Sequence, residues 1–224
     1  MNNKREKFFT TNRAVGIAVF SALAFVVSLL VRFPVQFLTF DAKDAIITIA
    51  AYIYGPLTAP IVSFFAAFIE LVTISDTGWY GFLMNFVSSA VYSLTASIIY
   101  TKFRNLNGAI IGIYSAVLLT TLAMLGLNIL ITPLYMQQFL GVPMNAAGIV
   151  EMIPTILLPF NFAKTMLNSA VVMLLYKPIS IALARMGISK KKKTVKWGKG
   201  SFIIMGIGLV TLIAAVVIFL ILSA

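Results

Sequence analysis

The stretch "LLPFNFAKTMLNSAVVMLLY", residues 157–176, places Asn161, Lys164 and Asn168 within an apolar run. On a helix these are positions i, i+3 and i+7, so an ammonium and two amides share one face. An amide donates and accepts at once, and an ammonium donates to carbonyl or hydroxyl oxygens. Such a stripe is suited to the edge of a polar heterocycle. A charge in lipid is costly, so the stripe must face protein, water or a ligand.

Three other apolar runs carry Glu70, Asn85 and Asn128. Counted from the run's end, Lys164 lies about five to seven residues in, roughly 10 Å deep at 1.5 Å per residue. Asn128 and Glu70 lie about one turn from the same end of their runs, and Asn85 slightly deeper. Taken singly, each has a plainer reading. An asparagine in a membrane helix is more often glue between helices. A lysine near a helix end snorkels outward, and Glu70 can pair with Lys164 or Lys43 to hold a bundle together. Gathered at one level, beneath an apolar connection with Pro133, Pro143 and Pro154, the four point to a ligand pocket. Met84, Phe40, Phe160 and Leu157 would wall it.

The elements that must carry these residues follow from composition. The chain has 224 residues, 61% of them hydrophobic and 10% charged, with a mean hydropathy of +1.02. Soluble domains are only about 45–50% apolar, so this is an all-α integral membrane protein crossing the bilayer several times. Apolar segments are expected over about residues 14–31, 45–54, 57–74, 80–100, 109–131, 157–184 and 201–222. A short loop (32–44) follows the first, and a long apolar connection (132–156), expected to pack as a lid, precedes the sixth. The basic start followed by an apolar run is read as a retained first helix rather than a signal peptide.

Charge gives the orientation. With the N-terminus in the cytoplasm and one crossing per segment, 14 of the 17 basic residues fall inside, beside a single acid, Glu6. The seventh segment then ends outside. This bias also accounts for the net charge of +11, which in a soluble protein would suggest nucleic acid; none is expected as a partner, and membrane lipid is. The Lys190–Lys193 run is read as topogenic.

With no cysteine and no histidine, disulfides, thiolate nucleophiles and histidine-bound zinc are excluded. Acid–base chemistry would fall to six carboxylates or a lysine, and Glu70, Asp76 and Glu151 show no paired spacing. No catalytic residue and no metal site is expected. There is no phosphate-cradling loop, so an ATPase would have to be another chain. On the first segment Ala14, Ala18 and Ala22 stand at i, i+4 and i+8, a row that lets another helix approach closely, either within this protein or from a partner.

The phrases "YGP", "FLTFDAKD", "GFLMNFVSS", "NILITPLYM" and "LLPFNFAKTMLN", in this order, resemble the riboflavin-type S component of energy-coupling factor (ECF) vitamin transporters. The resemblance covers about residues 14–184. It implies a six-helix bundle with an outward pocket for one vitamin, roofed by the loop after the first helix. It also implies docking through the alanine row onto a transmembrane coupling subunit driven by two cytoplasmic ATPases. By this similarity Asn161, Lys164 and Asn128 contact the flavin, Asn85 and Met84 line the pocket, and Ala14, Ala18 and Ala22 form the coupling row. Riboflavin is then cargo, and no cofactor is implied.

The expected organisation is a cytoplasmic basic segment (1–13), a six-helix substrate-binding domain (14–186), a basic linker (187–200) and an additional transmembrane helix (201–224). The last departs from the six-helix plan. Two other readings stay open here. One is an S component for pantothenate or hydroxymethylpyrimidine. The other is an ion-coupled secondary transporter using Glu70 with Lys164, against which stands the lack of an inverted repeat of broken helices.

Overall fold

The computed structural model describes residues 10–185 and 199–223. Most of the expected N-terminal basic segment and of the basic linker, including Lys190–Lys193, lies outside the described residues. Helix α1 (Thr11–Leu30) begins where the Thr10 hydroxyl accepts from the Arg13 amide at 3.4 Å. Its buried stripe of Gly16, Ile17, Ser21, Ala24 and Ser28 recurs with the helical period and faces the bundle. Gly16 lies so close to Tyr54 that a Cβ would come within 2.4 Å of the ring.

The residues expected as a plain loop after α1 form a β-hairpin instead. Strand β1 (Arg32–Val35) pairs antiparallel with β2 (Leu38–Asp41), with Arg32 opposite Asp41 and Phe33 opposite Phe40. Gln36 makes the turn at φ 53°, a left-handed conformation uncommon outside glycine.

Helix α2 (Lys43–Tyr54) has only 12 residues, about 18 Å, well short of the roughly 30 Å hydrocarbon core. It can be short because residues 42–52 are all buried, enclosed by α1, α3 (Thr58–Thr73), α4 (Gly78–Phe103) and α7 (Leu158–Arg185). The same enclosure lets it start with Lys43 and Asp44. Seven apolar segments were expected, the second of them short. Among the described residues five helices are long and apolar enough to cross a membrane (α1, α4, α5, α7 and α8), while α2 and α3 are short.

Helix α5 (Leu106–Leu140) begins at the Asn105 cap, whose side chain accepts from the Gly108 amide at 2.7 Å. It was expected to stop near residue 131 but continues through Pro133, so the connection read as a lid is partly helix. A proline removes one ladder bond and is tolerated in a membrane helix where neighbours compensate. The chain returns through α6 (Ala146–Glu151) and a π-helical turn (Ile153–Leu157) directly into α7. The connection is packed as expected: Tyr135, Met136, Ile149 and Leu157 are buried against Phe37 and Leu38 of the hairpin and Tyr80 of α4.

Helix α8 (Lys199–Ser223) packs along α7 and touches α5, whereas α1 packs on α2 and α3. The outward surface carries Val15, Leu23, Leu118, Leu122, Val210 and Ile221 among other exposed apolar residues, as a lipid-facing belt requires.

Candidate functional site

A cavity of about 720 Å³ opens at the end of the bundle formed by the hairpin and the α3–α4 turn. That volume lies within the roughly 300–1,000 Å³ range of small-molecule sites. Glu70, Met84, Asn85, Asn128, Asn161 and Lys164 all line it, from α3, α4, α5 and α7. The expected convergence of these residues is therefore a feature of the fold.

Each amide is held by a local bond. The Asn161 amide nitrogen donates to the Leu157 carbonyl at 2.7 Å, at the junction of the π turn with α7. The Asn128 nitrogen donates to the Met124 carbonyl at 2.7 Å, and the Thr132 hydroxyl donates to the Asn128 oxygen at 2.9 Å. Asn85 donates to Glu70 at 3.2 Å. Such bonds fix side-chain orientation in advance of any guest.

The ammonium groups are paired. Lys164 donates to Asp41 Oδ2 at 2.8 Å and to the Thr39 carbonyl at 3.4 Å, while Lys43 donates to Glu70 Oε2 at 2.6 Å and stands 3.8 Å from Asp41. Glu70 and Lys164 thus have different partners, which removes the direct pair that an ion-coupled mechanism would have used. Burial pushes the Asp41 carboxyl up, but the Lys164 and Lys43 charges together outweigh it and hold it below its ordinary 3.8.

Two expected site residues stand elsewhere. Asn168 is fully buried one turn beneath Lys164 and ties helices together. Its oxygen accepts from the Ala45 amide at 2.9 Å, and its nitrogen donates to the carbonyls of Asp41 and Lys164, both at 3.0 Å. It therefore serves an otherwise orphaned amide in the first turn of α2. Phe40 faces away from the cavity. Successive strand residues alternate sides, so Arg32, Pro34, Thr39 and Asp41 line the cavity while Phe40 packs on Phe160 at 6.0 Å between ring centroids. Leu157, expected with Phe160 as a wall, is buried in the packed connection between α5 and α7 instead, whereas Phe160 does line the cavity.

The cavity also gathers Asp41, Lys43, Tyr80, Thr132 and Tyr135, which sequence reasoning passed over as site residues. The signal was there for two of them: "FDAKDA" sets three charges at the mouth of an apolar segment.

The model of the family described as "ECF transporter, substrate-specific component" matches residues 12–176. The chain belongs to this family. As an S component it is a multi-pass membrane protein and the substrate-binding subunit of a vitamin uptake transporter, and membership implies association with coupling and ATPase subunits. The chain is 30% identical over 196 residues to the riboflavin transporter RibU of Staphylococcus aureus (strain TCH60), an alignment covering 83% of this chain and 100% of that protein. It also matches a solved S component of a bacterial ECF transporter with a TM-score of 0.63 and 27% identity, over 77% of this chain and 97% of that one. The family match ends at residue 176, so α8 lies beyond it. The row of Ala14, Ala18 and Ala22 is exposed on α1, and α8 packs on α7 and α5, so the row stays uncovered.

Proposed function

We propose that this S component captures riboflavin at the outer face of a bacterial cell membrane, with Asn85, Asn128, Asn161 and Lys164 as its polar contacts. The cavity carries this reading: three amides and an ammonium from three helices converge in a largely apolar enclosure with Met84, Phe160 and Tyr135 in its walls. A flavin ring has apolar faces and an edge that both donates and accepts, the pattern that amides answer. The curated relative named a riboflavin transporter supports the same guest.

Each cation of the lining stands beside a carboxylate: Lys164 with Asp41, Lys43 with Glu70, and Arg32 with Asp76 at 3.8 Å. No surplus positive charge meets a phosphate there, so the uncharged vitamin is favoured over its phosphate ester. The charge bias puts the N-terminus inside and the hairpin end outside. Release inward then depends on a transmembrane coupling subunit docked on the alanine row and on two cytoplasmic ATPases.

Purification of this chain alone, followed by its absorption spectrum and titration with riboflavin, tests the proposal. A flavin spectrum or saturable 1:1 binding, with riboflavin phosphate binding more weakly, is expected. Absence of riboflavin binding beside tight binding of another vitamin overturns the substrate assignment.

A further inference from the structure

The hairpin has two faces. Arg32, Pro34, Thr39 and Asp41 roof the cavity, and the opposite face carries the cross-strand pair Phe33 and Phe40. The Phe219 ring, from α8, sits against both members of that pair, with centroids 5.8 Å from Phe33 and 5.3 Å from Phe40. Ile218 and Leu222 join the same cluster around Val35, Phe40, Phe160 and Ala163.

The helix bearing Phe219 is itself anchored. Gly208 allows a backbone approach so close that a Cβ would lie 3.1 Å from Met173 and 3.4 Å from the Ala170 carbonyl. The Thr211 and Tyr114 hydroxyls are hydrogen-bonded at 3.1 Å, and Ile204 and Ala215 are fully buried. A two-stranded hairpin is marginal by itself and takes its order from what it packs on.

We infer that α8 is a strut for the cavity's roof and that Phe219 is a positioning residue: by packing on Phe33 and Phe40 it holds Thr39 and Asp41 over the bound vitamin and slows its escape. The ligand part of this inference rests on the proposed function; the mechanical part does not.

Hydrogen–deuterium exchange of the full-length protein without ligand isolates the mechanical part. Phe219→Ala should speed exchange across residues 32–41 by roughly tenfold, leaving the α2 and α7 amides unchanged. Phe33→Ala, which alters the other side of the contact, should do the same, and the double variant should add little to either. Phe219→Leu should restore much of the protection, and Val217→Ala, on the exposed side of α8, should leave exchange unaltered. Riboflavin should leave Phe219→Ala severalfold faster than wild type, with its association rate little changed. Unaltered hairpin exchange, or acceleration spread evenly through α2 and α7, overturns the strut. Hairpin-specific acceleration in a protein that does not bind riboflavin upholds the strut and overturns the substrate assignment instead.

Discussion

Asn161 and Asn168 share a helix face and a residue type, yet one lines the cavity and the other lies beneath it. Depth separates them, because Asn168 sits where α7 meets the first turn of α2 and is consumed by the Ala45 amide and two carbonyls. Asn168→Ala should therefore cost stability, about 1–3 kcal/mol for the buried groups left unpaired. Thermal unfolding without ligand would show this loss. Lys164 has two duties, since Lys164→Met removes a cavity ammonium and also strands Asp41. Breaking a buried pair costs up to about 3–5 kcal/mol, less here because Lys43 remains 3.8 Å from Asp41. The combined Lys164→Met and Asp41→Asn variant should regain much of the lost melting temperature while riboflavin binding stays weak. Recovery of both would make Lys164 a purely structural residue.

The Asp41 carboxyl has its own acid signature. Its pKa is lowered in the folded protein, so the stability it contributes is fully present above its unfolded value of about 3.8 and is lost as pH falls through the lower folded value. Its contribution should be flat between about pH 5 and 8, a window that begins roughly one unit above that value. The difference in melting temperature between wild type and Asp41→Asn, followed from neutral to strongly acid pH, checks this. The difference should narrow only in the acid limb.

At the scale of elements, the long apolar helices were legible because an uncharged run of bilayer length has few other folds. The hairpin was not. "RFPVQFLTFD" holds Pro34 within a strand and turns at Gln36 without glycine, so neither strand nor turn chemistry announces itself. That omission explains the error at Phe40, because only strand alternation shows that Asp41 and Thr39 face the cavity and Phe40 faces away. Likewise α5 was expected to end near residue 131, before Pro133, but packing of Tyr135 and Met136 sustains it beyond the proline. On α1 the buried stripe and the exposed alanine row occupy different faces. Ala18→Leu should thus leave riboflavin binding by the isolated chain within about twofold, because packing in the bundle is untouched, and should sharply impair uptake by the assembled transporter. Undiminished uptake would exclude a docking role for that row.

For the molecule as a whole, the cavity's polar groups sit at one end of a bundle whose outer belt is apolar. A short α2, buried from Lys43 through Tyr52, makes this possible, since it brings Lys43 and Asp44 into the interior without exposing them to lipid. The cavity is preorganised by bonds from Asn85, Asn128 and Asn161 to their own surroundings, so a guest meets fixed groups rather than ordering them on arrival. The additional helix packs on α7 and α5, whereas α1 packs on α2 and α3, so it can steady the roof while leaving the alanine row uncovered.

The most direct measurement is a fluorescence titration of riboflavin against the purified wild-type chain and the Asn128→Leu and Asn161→Ala variants in parallel. The account predicts one site per chain in the wild type and an affinity at least about tenfold weaker in each variant, with folded yield preserved. Equal affinity in all three proteins, or no binding by the wild type, would contradict the placement of the vitamin among these amides.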